Sequence, residues 1–466
     1  MSETLALTGI GPPDKELKEH KLKTYKVTVT SDDDTHQTSN GVPPYDPHAH
    51  RILEHPTNNS ETLIHLLKGS LGTGILAMPN AFYNSGLLVG TVGTILIGIL
   101  CTYCLHVLIR SQYILCKRLR EPILSYPDSM KYALQNGPSF LRFGVPLSAL
   151  IVDGFLITYQ LGICCVYIMF IGSSIKQVLD MYIEPMDERY YMIMLLLPLI
   201  AINLIRNLKL LAPFSQLANI ITFVGLGIVL WYVFTDLPPI SSRPLVGEPR
   251  KYTLFVGTTL FALEAVGVVL ALENNMKTPA SFGGTTGVLN VGMTAITLMY
   301  VAVGFFGYVK YGQEAKGSIT LNLPELDLLA QAVKLIFAVA IFITYALQAY
   351  VAVDIIWNTY MKKRIQNWDK ATMEYGLRVS VVLVTFVLAV SIPRLELFIS
   401  LFGALCLSVL GIAFPALIEI CVLWPEDDFG PFRYVLWKDI LLIIIGVLAL
   451  VLGTYISVQD IVRSFN

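Results

Sequence analysis

The chain has 466 residues, of which 54% are hydrophobic and only 14% are charged. Soluble domains carry about a quarter charged residues, so this composition indicates that most of the surface faces lipid rather than water. The formal net charge of −1 gives no electrostatic basis for binding nucleic acid.

Residues 1–61 are polar, with the acidic run Asp32-Asp33-Asp34 and prolines at positions 43, 44 and 47. Such a segment buries too little apolar area to offset the entropy of ordering, and we predict a disordered cytoplasmic tail. The alternative is a small folded regulatory domain. Because no basic stretch leads into an apolar core at the start, we expect no cleavable signal peptide.

Long apolar runs alternate with short polar stretches from residue 62 onward, and a spanning helix needs about 20 mainly apolar residues. We therefore predict an all-α integral membrane protein whose transmembrane domain covers 62–460. By this rule its eleven spans are 62–84, 86–110, 145–172, 190–207, 213–235, 253–275, 288–309, 329–353, 376–392, 396–422 and 437–458.

Lysine and arginine are more frequent in the connections on the side of the N-terminal tail, for example Lys117-Arg118 and Lys362-Lys363-Arg364. This bias predicts a cytoplasmic N-terminus, and an odd number of spans then places the C-terminus on the opposite side. None of the seven cysteines lies in a predicted outer loop, so we expect no structural disulfide.

The first span contains Gly69, Gly72, Thr73, Gly74 and Pro79 near its middle. Broken backbone is tolerated in a membrane only where it lines a cavity. We predict two half-helices joined by an extended segment from Gly72 to Ile75, with Pro79 near the first turn of the outer half. The unpaired N–H groups of that outer half would bind a carboxylate. The alternative is a glycine face for close helix packing.

The sixth span offers a counterpart in Phe261, Ala262 and Glu264, with the carboxyl group halfway along the apolar run. Intramembrane carboxyl groups generally face a cavity or a partner, although a protonated Glu264 could simply join helices. The two irregular segments each open a set of five spans. Interrupted helices at corresponding positions in two halves indicate a transporter with inverted repeats and a midplane site, here suited to a zwitterion.

His65 is about one turn into the first span and is predicted to share a helix face with Gly69 and Gly72. Histidine titrates near neutral pH and can exchange protons with a transport pathway. The alternative is an interfacial histidine that makes ordinary hydrogen bonds. Asp153, inside the third span, is a further candidate proton-carrying group.

Three segments, His65–Pro79, Gln160–Tyr167 and Phe261–Lys277, resemble the proton-coupled amino acid transporter family of the amino acid/auxin permease group. The resemblance implies a LeuT-like fold with ten core helices in a 5+5 inverted repeat, broken helices 1 and 6, and an appended eleventh helix. It implies a proton-coupling role for His65 and substrate segments at Gly72–Gly74 and Phe261–Glu264. Vertebrate members have a disulfide between outer loops, which this chain lacks.

The resemblance implies a secondary transporter that moves alanine, glycine or proline by alternating access, with a proton as the coupled ion. Alternatives are a sodium-coupled or uncoupled carrier, or an amino-acid-sensing receptor that signals through the tail. No metal-binding H-E-x-x-H or nucleophile G-x-S-x-G pattern occurs, so we expect neither an enzyme nor a cofactor. We expect residence in the plasma membrane, the lysosomal (vacuolar) membrane or both.

Overall fold

The computed structural model describes residues 45–51, 53, 56–70, 72–206, 208–263, 266–362, 370–392 and 394–465. These residues form helices, with one isolated β-bridge between Thr57 and Met276 and no strand. Their α-helices are α1 (Asn59–Ser70), α2 (Thr73–Ser85), α3 (Leu87–Leu119), α4 (Tyr126–Asn136), α5 (Val145–Leu179), α6 (Glu188–Asn203), α7 (Leu208–Phe234), α8 (Tyr252–Leu263), α9 (Val266–Asn274), α10 (Val288–Tyr311), α11 (Leu328–Asp354), α12 (Lys370–Ser391), α13 (Leu395–Phe402), α14 (Phe414–Leu423) and α15 (Tyr434–Arg463).

Nine helices in the described part of the chain are long and apolar enough to cross a membrane. They account for the second, third and fifth to eleventh predicted spans. The first predicted span is divided between α1 and α2, and the fourth is α6, which has only 16 residues. The chain is therefore an all-helical, multi-pass membrane protein.

The first span is interrupted at Gly72, which has extended backbone angles of φ −112° and ψ −153°. Helical geometry resumes at Thr73, so the extended segment is shorter than predicted. The sequence predicts Pro79 near the first turn of the outer half-helix, and in the structure Pro79 lies inside α2, in its second turn. Its ring packs against Gly307 of α10, where a Cβ would come within 2.4 Å of Pro79 Cγ. A glycine in the neighbouring helix thus gives the proline room.

The sixth span consists of α8, which ends at Leu263, and α9, which begins at Val266. Glu264 and Ala265 lie outside the described residues, and so does the predicted interruption of this span. The flanking residues Phe261, Ala262 and Leu263 are buried, which fixes the position of α8 against its neighbours.

Four pairs of spans that are five spans apart in the sequence are in contact. The first span contacts the sixth, through α2 with α8 and α1 with α9, and the second contacts the seventh, through α3 with α10. The third contacts the eighth, through α5 with α11, and the fourth contacts the ninth, through α6 with α12. The eleventh span, α15, packs outside this arrangement, on α8, α13 and α14.

Two features of the fold are absent from the sequence prediction. The short helix α4 follows the second span and packs on α5 and α14. Its N-cap residue is Ser125, whose Oγ accepts a hydrogen bond from the Asp128 N–H (3.2 Å). The tenth span contains two π-helical segments, Gly403–Leu407 and Val409–Ala413. A Cβ at Gly403 would lie 1.9 Å from the Gly257 carbonyl oxygen, so the irregular helix lies directly on the backbone of α8.

The bundle has two ends, which we name by the N-terminal segment. At the tail side, residues 45–51, 53 and 56–58 lie against the start of α1, the end of α9 and the end of α3. The part of the predicted tail before residue 45 lies outside the described residues. All seven cysteines are described, buried and free of disulfides.

At the opposite end, the far side, the loop 312–327 covers the bundle. Its backbone carbonyls accept hydrogen bonds from side chains of three spans: Asn80 to Ala315 (2.8 Å), Gln177 to Leu321 (2.9 Å) and Lys334 to Leu323 (3.2 Å). Ile319 and Thr320 in this loop are completely buried. The far side is therefore closed by a loop that is tied to the helices beneath it.

Candidate functional site

The predicted substrate segments of the first and sixth spans meet in the structure. A Cβ at Gly74 would lie 2.7 Å from the Ala262 Cα and 3.1 Å from the Ala262 Cβ. Only glycine at position 74 permits this approach, since the atoms that it faces belong to the backbone of α8. Thr73, Gly74, Phe261 and Ala262 are thus brought together, and all four are buried.

The start of α2 provides unpaired backbone donors beside open space. Gly72 is the N-cap residue of α2, and within the described residues no side chain caps this helix. A Cβ at residue 72 would meet no atom of the described residues within 4 Å. The first N–H groups of a helix have no intrahelical acceptor, and together with the helix dipole they favour a carboxylate at this position.

An aromatic pair borders the same region. The rings of Tyr159 on α5 and Phe261 on α8 are in edge-to-face contact with their centroids 6.0 Å apart. Both side chains are buried. The pair joins the third span to the sixth immediately beside the contact between Gly74 and Ala262, so it limits the space on that side of the site.

The interruption of the first span is stabilised by a tyrosine from another helix. The hydroxyl of Tyr300 on α10 donates a hydrogen bond to the Ser70 carbonyl, at the last residue of α1. Tyr300 is completely buried. A carbonyl at the end of a helix has no partner in the regular helical pattern. The Ser70 carbonyl also accepts a hydrogen bond from the Gly72 N–H (3.0 Å), so Tyr300 supplies a second donor to this carbonyl, from another helix.

His65 lies on α1, on the tail side of the interruption, and is half-buried. Because α1 ends at Ser70, the predicted common helix face extends from His65 to Gly69 but does not include Gly72. Glu264 lies outside the described residues. Asp153, the other candidate proton carrier, accepts a hydrogen bond from Tyr360 (2.6 Å), and this pair joins α5 to the π-helical segment Ile355–Met361.

Within the described residues, no group of three or more His, Cys, Asp and Glu side chains is placed to hold a metal ion. The polar groups available at the contact between the two segments are instead the backbone N–H groups of α2 and the hydroxyl of Thr73. The arrangement is suited to holding a small polar molecule at the start of α2, beside α8, by non-covalent contacts.

Comparison with known proteins shows the family of the chain. Residues 55–459 match the family model described as transmembrane amino acid transporter protein. The chain belongs to this amino acid transporter family. The prediction that it is a transporter and not an enzyme is confirmed by this family and by the relatives that follow.

Two relatives of this transporter are similar over most of their length. The proton-coupled amino acid transporter-like protein pathetic of Drosophila melanogaster is 41% identical over 424 residues, covering 91% of this chain and 89% of the relative. The probable amino acid transporter skat-1 of Caenorhabditis elegans is 26% identical, covering 87% and 91%. A solved Na⁺-coupled sialic acid symporter, in a substrate-bound outward-open state, aligns with a TM-score of 0.46 and 11% identity, covering 89% of this chain and 92% of the symporter.

Sequence reasoning did not identify Tyr159 or Tyr300 as parts of the transporter's site. Both are aromatic residues in apolar spans, where a tyrosine is usually part of the helix packing. The signal that could have found Tyr300 is the interruption itself, because a broken helix needs a donor for its last carbonyl. The sequence does not show which of the other spans provides that donor.

Proposed function

We propose that this transporter carries small neutral amino acids, such as alanine, glycine and proline, in symport with a proton by alternating access. The observation that carries the proposal is the contact of Gly74 with Ala262 beside the uncapped start of α2. It joins two spans at a point where one of them offers unpaired backbone donors. An amino acid would place its carboxylate on those donors.

The size of the substrate follows from the crowding at this point. Gly74 and Ala262 approach so closely that not even one additional carbon fits between them. The rings of Tyr159 and Phe261 border the same place. Large side chains would require these groups to move, whereas glycine, alanine and proline place little volume beyond the backbone.

The pairing of the spans supports two inverted five-span repeats followed by an eleventh span. If a twofold axis relates span n to span n+5, helices near the axis contact their own counterparts. The contacts of spans 1 with 6, 2 with 7, 3 with 8 and 4 with 9 have this form. Because five is an odd number, the second repeat enters the membrane from the opposite side, as in transporters with inverted repeats.

We assign proton coupling to His65. It lies on α1 between the tail side and the interruption, and histidine changes its charge near neutral pH. The name of the Drosophila relative describes that protein as proton-coupled amino acid transporter-like, which supports the same assignment here. We also propose that the tail side is cytoplasmic, since the lysine- and arginine-rich connections lie there, and that the protein resides in the plasma membrane, the lysosomal membrane or both.

The test is uptake of labelled alanine into proteoliposomes that carry an imposed proton gradient or an imposed sodium gradient. We expect the proton gradient to accelerate uptake by the wild type. In His65→Ala we expect this acceleration to fall by about tenfold, within the range typical of a coupling free energy between two sites. The matched control is His106→Ala in α3, whose ring nitrogen is 2.7 Å from the Asn290 amide oxygen and which should keep the acceleration.

Three other outcomes contradict the proposal and each has a separate meaning. Acceleration by sodium alone would indicate a sodium-coupled carrier. Uptake that is indifferent to both gradients would indicate an uncoupled carrier. Saturable binding of alanine without flux would indicate an amino-acid-sensing receptor.

A further inference from the structure

We propose that residues 45–51, 53 and 56–58, which we name the latch segment, form a gate on the tail side that holds α1 and α9 together. The gate must release whenever the transporter opens to that side. The inference rests on the proposed alternating-access function, since a protein that does not change sides needs no gate.

The latch segment is joined to the end of α9 through its backbone. The Thr57 N–H donates to the Asn275 carbonyl (2.9 Å), and the Lys277 N–H donates to the Thr57 carbonyl (2.9 Å). These two bonds form the β-bridge between Thr57 and Met276. Thr57 and Met276 are both buried, so this contact is protected from competing water.

The same segment runs directly into α1. The Asn58 side chain accepts a hydrogen bond from the Glu61 N–H (2.9 Å), and the Glu61 side chain accepts one from the Asn58 N–H (2.9 Å). This reciprocal pair is a capping box, which fixes the first turn of a helix. The hydroxyls of Thr57 and Thr62 are also hydrogen-bonded (2.9 Å). Any movement of the start of α1 is therefore transmitted to Thr57.

An ion pair holds the other end of the latch segment on α9. Arg51 Nη1 and Nη2 donate to the two Glu273 carboxylate oxygens (3.0 and 3.1 Å), and Nη1 also donates to the Glu273 carbonyl (3.1 Å). Arg51 Nε donates to the Pro122 carbonyl (3.3 Å), in the connection after α3. The two side chains are only 5% and 8% exposed, and bidentate pairs of this kind are strong and geometrically specific.

Neighbouring groups support this ion pair. His48 Nε2 is 3.3 Å from Glu273 Oε1, and the His48 ring lies against the ring of Tyr113 on α3, with centroids 4.7 Å apart. The latch segment thus contacts the first, second and sixth spans at one end of the bundle. A merely loose terminus would not bury an arginine and a glutamate against each other.

Beneath the latch segment, α1 and α9 pack closely against each other. A Cβ at Gly69 of α1 would lie 2.9 Å from Cγ1 of Val268 on α9. A path to the tail side between these helices requires α1 to separate from α9. Because Thr57 is bonded to α9 and is only two residues before the start of α1, this separation requires the latch segment to leave one of them.

The first experiment locks the segment reversibly in proteoliposomes with the double variant Thr57→Cys/Met276→Cys. Residues opposite each other in a β-bridge are close enough for a disulfide. On oxidation we expect the disulfide to form and alanine uptake to fall to about a tenth or less, as when a closed gate prevents turnover. Reduction should restore uptake, and the two single variants should be insensitive to oxidation.

The second experiment measures opening without measuring transport. In Val268→Cys, a membrane-impermeant thiol reagent on the tail side should react faster with the new cysteine when α1 separates from α9, because Val268 is half-buried and lies against Gly69 when the two helices are together. Adding Arg51→Ala should increase the labelling rate by about tenfold or more, because removing one partner of a buried, hydrogen-bonded ion pair destabilises the contact strongly. The matched control is Arg118→Ala, whose ion pair with Glu426 (2.6 Å) lies away from α1 and α9 and should leave labelling unchanged.

Two results would overturn the latch. One is failure of the cysteine pair to form a disulfide, or full uptake once the disulfide has formed. The other is a labelling rate of Val268→Cys that Arg51→Ala does not change. If the wild type transports no amino acid under either gradient, the proposed function fails instead, and the labelling experiment still decides whether the latch exists.

Discussion

Single residues hold the interruption of the first span open, and Tyr300 is the clearest case. Its hydroxyl pairs with the Ser70 carbonyl from a different span, so the ends of α1 and α2 depend on a contact that neither helix makes by itself. The Ser70 carbonyl keeps the Gly72 N–H as a donor (3.0 Å), so loss of the Tyr300 hydroxyl costs the net value of one hydrogen bond, about 0.5–1.5 kcal/mol. The cost falls on the geometry of the proposed binding segment, because Ser70 is two residues from Gly72.

We therefore expect Tyr300→Phe to reduce the maximal rate of alanine uptake by about tenfold, equivalent to about 1.4 kcal/mol, without preventing folding. Uptake kinetics in proteoliposomes provide the measurement. The control is Tyr308→Phe, on the same helix and also buried, but about two turns away from Tyr300. Equal uptake by Tyr300→Phe and the wild type would show that the hydroxyl does not maintain the interruption.

Helical elements could be predicted from the sequence to the extent that their signals are local. The glycines at 69, 72 and 74 predicted the interruption at Gly72, because glycine favours non-helical backbone. Helix α4 was missed although it has a local start signal, Ser125 followed by Pro127 and Asp128. The π-helical segments of the tenth span carry no such signal, since they depend on Gly403 lying on the backbone of α8.

The connection between α5 and α6 shows how a short turn is stabilised outside the membrane. Asp180 follows α5, and its carboxylate accepts hydrogen bonds from Lys176 Nζ (2.5 Å) and from the Tyr191 hydroxyl (2.5 Å). The hydrogen bond from Lys176, followed by that from Tyr191, lowers the pKa of Asp180 below its usual value. A lowered pKa in the folded state means that the ionised group stabilises the fold.

This contribution is present above the ordinary aspartate pKa of about 3.9 and is lost as the pH falls through the lowered value. We expect Asp180→Asn to lower the thermal unfolding midpoint by a few degrees at neutral pH. The difference from the wild type should shrink toward about pH 3. The measurement is thermal unfolding in detergent across this pH range, with the exposed Glu184→Gln in the same connection as the control. A difference that is independent of pH would contradict the ionic explanation.

At the scale of the whole molecule, the candidate site forms where α2 of the first span and α8 of the sixth span come into contact. The sequence could indicate the residue types, because small residues and an interrupted helix are readable locally. It could not show that Gly74 faces Ala262, since that contact joins positions 188 residues apart and depends on how α2 packs against α8. The same holds for Arg51 and Glu273, whose pairing joins the N-terminal segment to the sixth span.

The contact between α2 and α8 yields the last prediction. A methyl group at position 74 would lie 2.7 Å from the Ala262 Cα, and a backbone atom cannot yield as a flexible side chain can. Gly74→Ala must therefore push α2 away from α8, and overpacking of this kind typically costs about 1–3 kcal/mol. The displacement also separates the two segments that would hold the substrate. We expect alanine uptake to fall by about tenfold or more, together with a lower thermal midpoint.

Gly154→Ala is the matched control, because residue 154 is also a helical glycine but its Cβ would meet no atom of the described residues within 4 Å. Replacing an exposed helical glycine by alanine generally favours the helix by about 0.5–1 kcal/mol, so this variant should be at least as stable as the wild type and should transport normally. If Gly74→Ala transported as well as Gly154→Ala, transport would not need the close contact between α2 and α8. The substrate would then have to bind elsewhere, since a site between α2 and α8 cannot be both displaced and fully active.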